Sequence, residues 1–217
     1  MSILSEQISE TLLPGMHLPN ALDLLFSWIE DNHFYIDVND KRIGILFPVD
    51  NKGIASKEVG TNIEFSAQGN KNVKYWFPRE FKEASNRLSV FAQTGGEGSV
   101  TAFWLDENDQ QKIVHMGSGS GSTLACVLAE NAIDFLRLLA IGYAEICWDE
   151  AFESTPAIAH AKEGYTFFPN LKYQDWVKST FSVTIPKTAA EIIKHPSRME
   201  EPDLRDPFAK WIEPYLS

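Results

Sequence analysis

Apolar residues recur with helical spacing in two segments of the chain. In the first, four apolar residues at i, i+3, i+4 and i+7 form one face, which predicts a helix from Pro19 to Asp31. The four are Leu22, Leu25, Phe26 and Ile29. Proline suits the first helical position, where its missing N–H needs no partner.

The second segment follows Asn131, whose side chain is a good helix N-cap. Its apolar stripe is wide enough to predict a heavily buried helix, and Gly142 is a possible helix end. The stripe consists of Ala132, Phe135, Leu136, Leu139 and Tyr143, widened by Ile133 and Leu138.

Shorter apolar segments between turn residues predict strands. Early in the chain, residues 33–38 and 42–49 flank the turn signal Asn39–Asp40 and predict a hairpin, and residues 54–65 predict one or two further strands. Later strands are predicted at 88–92, 100–105, 112–116 and 123–128, separated by turns at 94–98, 106–109 and 117–122. The order of the early strands, between residues 33 and 77, stays open.

Beyond residue 149 the chain becomes rich in proline, with seven prolines in residues 150–217. We expect one domain over residues 1–149 and a proline-rich helical tail, 150–217, packed on it. Short helices are predicted in the tail at 172–181 and 188–193.

The formal net charge of the 217 residues is −11, which makes nucleic acid a poor partner and a basic protein a better one. The charge is concentrated, since residues 95–153 contain ten acids and two bases and so eight of the eleven net negative charges. This segment is either a solvated acidic surface or a docking face for a cationic partner.

No segment reaches the ~20 apolar residues of a membrane helix, and the N-terminus does not resemble a signal peptide. A cytoplasmic protein is therefore expected, with no membrane partner. Cys126 and Cys147 lie in apolar segments without a ligand at zinc spacing, which predicts buried thiols.

The GSGSGS segment, residues 117–122, invites a nucleotide-binding interpretation. However, Leu124 stands where a dinucleotide fingerprint needs its third glycine, and the lysine of a phosphate-binding loop is absent from the segment. His115 lies near three serines, but no strand–turn–helix context for a nucleophile accompanies them. We therefore expect no catalytic residue, metal or cofactor, and a loop that is a flexible connector or a partner contact.

Six tryptophans are more often core residues than interface anchors. Trp104 precedes the acidic turn at 106–109, so we expect it to be half-exposed and the first choice for an anchor.

The segments FAQTGGEGSVTAFWLD (91–106), KIVHMGSGSGS (112–122) and CVLAENAIDFLRLLAIGY (126–143) resemble the SUKH superfamily. That group contains bacterial toxin-immunity proteins and fungal regulators of cell-wall glucan synthesis. The resemblance is best over residues 88–148 and looser from residue 15. It implies an α+β fold whose mixed, mainly antiparallel sheet is packed by helices, and a noncatalytic immunity function against a polymorphic toxin.

Many such toxins are nucleases with basic clefts, which suits the acidic segment of this chain. The protein is expected to bind its toxin as a monomer or homodimer. The residues expected to bind the partner are Glu97, Trp104, Asp106, Glu107, Asp109, Asp149 and Glu150. The alternatives are a regulatory or scaffolding module and, more weakly, an enzyme of unknown class.

Overall fold

Seven strands form an antiparallel sheet in a computed structural model of the chain, which describes residues 1–49, 60–77, 84–164 and 166–216. The strands pair in chain order, and all six pairings are antiparallel. They are β1 (Tyr35–Val38), β2 (Lys41–Gly44), β3 (Glu64–Gly69), β4 (Leu88–Gln93), β5 (Val100–Leu105), β6 (Gln111–Met116) and β7 (Ala125–Ala129). The α+β class is confirmed. The sheet is not mixed, because the connections between the later strands are too short for a parallel crossover.

Helices α1–α7 accompany this sheet. They are α1 (Ile3–Ser9), α2 (Asn20–Asp31), α3 (Ala84–Arg87), α4 (Ala132–Ile141), α5 (Pro156–Lys162), α6 (Leu171–Phe181) and α7 (Pro207–Ile212). Four 3-10 turns lie at Val73–Trp76, Asp149–Ala151, Ala189–Glu191 and Glu213–Tyr215. The helix predicted at 188–193 is thus only a short turn. Within the described part of the chain, none of the helices has the length and apolar character needed to cross a membrane.

Helix α4 lies where its N-cap and its terminal glycine predict it. The Asn131 Oδ1 accepts a hydrogen bond from the backbone N–H of Asp134 at 2.9 Å, and Gly142 ends the helix with φ at 97°. The predicted core residues Phe135, Leu136 and Leu139 are buried. The helix therefore begins, ends and packs as its sequence predicts.

The early hairpin is also present but shorter than expected. Asn39 and Asp40 both have positive φ, as a tight hairpin turn requires. Strand β2 stops at Gly44, where an added Cβ would lie 2.6 Å from a Leu4 methyl carbon, so the chain leaves the sheet close beneath α1. Residues 54–59 of the predicted third strand lie outside the described residues.

The sheet has a core on each face. The first core lies under α1, α2, α4 and α6, and the second lies under α7 and the turn Val73–Trp76. Alternation along β5 divides its residues between them, with Phe103 in the first core and Trp104 in the second. The tail supplies residues to both, since α6 packs on the first core and α7 on the second.

The tail also covers the free edge of the sheet at β7. The backbone N–H of Ala125 donates to Ser197 O at 2.7 Å, and that of Val127 donates to Asp206 Oδ2 at 2.9 Å. The other carboxylate oxygen of Asp206 caps α7 through the N–H of Ala209 at 2.8 Å. Burial raises the pKa of Asp206 to about 6, although both hydrogen bonds favour the charged form.

Candidate protein-binding site

Three loops meet at one end of the sheet, which we call the loop end: residues 94–99, 117–122 and 142–148. The N–H of Gly96 donates to Glu145 Oε1 at 2.8 Å, and the hydroxyl of Ser122 donates to Cys147 O at 2.6 Å. These bonds join each of the first two loops to the third, so the loop end is a fixed surface.

Two of the three glycines of the GSGSGS loop, Gly117 and Gly121, are closely packed. A Cβ added at Gly117 would lie 2.4 Å from the Ser122 carbonyl oxygen, and one at Gly121 would lie 2.8 Å from Glu97 Cγ. The N–H of Gly119 donates to Ser122 O at 2.9 Å, which closes the loop as a turn between β6 and β7. At Gly117 the small residue is thus needed because the backbone of Ser122 lies so close.

Replacing Gly117 by alanine is expected to destabilise the protein by about 2 kcal/mol or more, because backbone must shift on both sides of the clash. Gly119→Ala is the matched control, since nothing lies within 4 Å of its added Cβ. Gly119 has φ at 77°, so this change should cost only about 1–2 kcal/mol of backbone strain. Urea unfolding of both variants measures the difference, and an equal loss would contradict the packing argument.

His115 is buried beside this loop and both its ring nitrogens have partners. Its Nδ1 donates to Leu124 O at 2.8 Å, so Nε2 accepts from the Thr94 hydroxyl at 3.0 Å. Burial lowers the pKa of His115 to about 4, so the ring is neutral near pH 7. One ring nitrogen donates and the other accepts, so the His115 ring joins β6 to the residue that follows β4 and to the residue that precedes β7.

The predicted partner-binding residues are divided between the two ends of the sheet. Glu97 lies in the loop end and Asp149 and Glu150 directly follow it, whereas the turn at 106–109 follows the far end of β5. Five residue steps separate Val100 from Leu105, which is roughly 17 Å of extended strand. The seven residues therefore do not form one face.

Two of the seven have structural roles that the sequence did not predict. Trp104 is only 1% exposed, with its ring centroid 5.3 Å from that of Phe208 and 5.4 Å from that of Trp211. Asp106 is buried and its Oδ1 accepts from the N–H groups of Asn108 and Gln110. The prediction that Trp104 is a half-exposed anchor is wrong because α7 returns across the sheet and covers it.

The remaining acids of the set are more accessible. Glu107 and Asp109 are exposed, and Asp109 pairs with Arg87 at 3.1 Å. Asp149 and Glu150 both bind Arg198 of the tail, Asp149 at 3.0 Å. Burial would raise the pKa of Glu97, but hydrogen bonds from Ser118 and Ser99 hold it below its usual range.

Beside the loop end lies a cleft of about 640 Å³ that the sequence analysis missed. Its walls are the segment 143–148 on one side and α5 with residues 163, 164, 166 and 168 on the other. The lining includes Gly60, Asn62, Tyr143, Ala144, Glu145, Trp148, Ala151, Ala159, His160, Glu163, Gly164, Thr166 and Phe168. Trp148 and Phe168 are 39% and 50% exposed, which is unusual for side chains this large and apolar.

Glu145 lies in the wall that residues 143–148 form. Its Oε2 accepts from the Trp148 indole N–H at 2.9 Å while its Oε1 is held by Gly96. Burial raises the pKa of the neighbouring Cys147 thiol, and the carboxylates of Glu145 and Glu97 raise it further, so this thiol stays protonated. Tyr143 points its hydroxyl at Ser154 O, 2.6 Å away.

The chain matches no known family model, no curated protein and no solved structure. Among the described residues, no group of three or more His, Cys, Asp or Glu side chains has the arrangement of a metal site. The positive signal for the cleft in the sequence was Trp148 itself, which directly precedes Asp149–Glu150 and follows Glu145 by three residues.

Proposed function

We propose that this chain is a noncatalytic binding protein whose partner is a basic protein docked on the loop end and its cleft. The observation that carries the proposal is Trp148, a partly exposed tryptophan held by Glu145 and followed by the acids Asp149 and Glu150. Tryptophan is favoured at the energetic centres of interfaces. Surrounding acids accelerate encounters with a basic partner and select against acidic ones.

Immunity against a toxin is the specific function that we infer within this class. It rests on the SUKH-like pattern of residues 88–148 and on the acidic character of the same region. An inhibitor that covers a basic nuclease cleft needs a preorganised acidic surface rather than reactive groups. The burial of His115 supports this choice, because the histidine beside the serine-rich loop is unable to reach a substrate in solvent.

The first experiment identifies the partner by capture from the native host followed by mass spectrometry. The purified partner is then assayed for toxicity in a susceptible strain and for its enzymatic activity with increasing amounts of this chain. Immunity predicts that activity falls to background at a stoichiometric ratio. A captured partner whose activity is unchanged in the complex would favour the regulatory or scaffolding alternative.

Charge reversal next to the cleft, beside the loop end, is expected to slow association with that partner. Glu153→Lys with Glu163→Lys reverses two exposed acids near the cleft, and Glu107→Lys with Glu201→Lys is the control elsewhere on the surface. The first pair should reduce the on-rate about 10-fold or more at low salt, with the difference shrinking as salt screens the charges beyond ~8 Å. Stopped-flow kinetics measures both pairs. An on-rate indifferent to salt, or lowered only by the control pair, would contradict docking at the loop end.

A further inference from the structure

We infer that the cleft receives an arginine side chain presented on a loop of the partner. This inference rests on the proposed function and names the group that the site recognises. The cleft is preformed, because the short segment that includes Gly60 and Asn62 ties its two walls together. The N–H of Asn62 donates to Ala144 O at 2.8 Å on one wall, and that of Gly60 donates to Phe168 O at 3.1 Å on the other.

The charge of the lining selects a cation. Glu145 and Glu163 are both in the lining, and among its described residues there is neither lysine nor arginine. His160, also in the lining, has its Nδ1 2.8 Å from the Pro156 carbonyl oxygen. Glu145 is already fixed by donors from Gly96 and Trp148, so its carboxylate needs no reorganisation to face a cation.

The aromatic lining favours a guanidinium over an ammonium. Trp148 and Phe168 are partly exposed in this otherwise acidic cleft. A guanidinium is planar, weakly hydrated and able to stack on aromatic faces while donating in its plane to carboxylates, whereas a lysine ammonium acts as a strongly hydrated point charge. The fit is therefore best for arginine.

The size of the cleft indicates that backbone next to the arginine enters it together with the side chain. Its volume of about 640 Å³ lies within the range of sites for drug-sized ligands. An arginine with its flanking backbone fits that range. This favours a protruding loop over a flat surface with isolated charges.

The test uses the full chain and a short capped peptide, Gly-Arg-Gly, against matched peptides in which citrulline or lysine replaces arginine. Binding is followed by the NMR signal of the Trp148 indole N–H, assigned by its loss in Trp148→Phe. The arginine peptide should shift this signal saturably, the lysine peptide should bind more weakly, and the citrulline peptide, which keeps the shape without the charge, should leave the signal in place. An unmoved indole signal, an equal response to citrulline, or equal affinity for lysine would overturn the inference.

Glu163→Gln tests the role of the acidic wall without altering the groups that hold Trp148. It should weaken the arginine peptide by about 2- to 5-fold, the range for one exposed charge pair. Glu107→Gln removes the same charge at the opposite end of the sheet and should leave the affinity unchanged. Equal weakening by both variants would show that long-range charge alone attracts the peptide, which would overturn the assignment to the cleft.

Failure of this inference is distinguishable from failure of the proposed function. If a basic partner binds at the loop end but does not shift the Trp148 indole signal, and Glu163→Gln leaves its affinity unchanged, the arginine inference is wrong and the binding function stands. If the peptide binds as expected but charge reversal at the loop end leaves association with the captured partner unchanged, the proposed docking face is wrong.

Discussion

Truncation of Trp104 to alanine is expected to lower the free energy of unfolding by about 3–5 kcal/mol. Trp104 is 1% exposed and packs on Phe208 and Trp211, so its loss opens a cavity under α7. Urea unfolding with linear extrapolation measures the change, and Trp104→Phe, which keeps a ring in the second core, should lose less.

Trp148→Ala is the matched comparison, because it removes the same side chain from an exposed position. It should cost only about 1 kcal/mol in stability, mainly through the hydrogen bond to Glu145, while weakening partner binding strongly. If instead Trp148→Ala unfolds the protein and Trp104→Ala leaves it stable, the assignment of one tryptophan to the core and the other to the interface is reversed.

Acidification is expected to destabilise the protein through His115. Burial lowers its pKa to about 4 in the folded protein, against about 6.5 in an unfolded chain. Between these values the unfolded state binds more protons, so the stability present above pH ~6.5 is lost as the pH falls towards 4. The shift corresponds to a loss on the order of 3 kcal/mol.

The contribution of His115 is isolated by comparison with His115→Gln, measured from pH 7.5 to about 4. Asp206 acts in the opposite direction, because its pKa is raised to about 6 and its contribution to stability therefore grows as the pH falls. This contribution is common to both proteins and cancels in the difference. The variant should be less stable at pH 7 and lose less stability on acidification. Parallel pH profiles would contradict a buried neutral histidine.

The helices and strands that are specified by residues close together in the sequence could be predicted. The N-cap of α4 at Asn131, the apolar face of α2 and the strands β4 to β7 all follow from signals within a few residues of one another. Other elements differ in extent, as at β2, which stops at Gly44, or in type, as at Ala189–Glu191, which is a 3-10 turn.

The candidate site required information that local patterns do not contain. Trp104 and Phe208 are more than a hundred residues apart, so the burial of Trp104 could not be foreseen from the acidic turn that follows it. The acids of residues 95–153 share one segment of the sequence, but the fold divides them between opposite ends of the sheet. The cleft depends on residues 60 and 62, on 143–148, and on 159–164, 166 and 168, which only the folded chain brings together.

The tail that covers β7 is synthesised later than the sheet, and this delay matters while the protein is being made. Each strand pairs with the strand synthesised just before it, so the sheet can assemble hairpin by hairpin as the chain leaves the ribosome. The backbone groups of Ala125 and Val127 have to wait for Ser197 and Asp206, about 70–80 residues later. During that interval β7 is an unpaired edge on which a second nascent chain can add a strand. Once the tail is complete, Ser197 and Asp206 occupy these N–H groups, and a second chain can no longer pair with them.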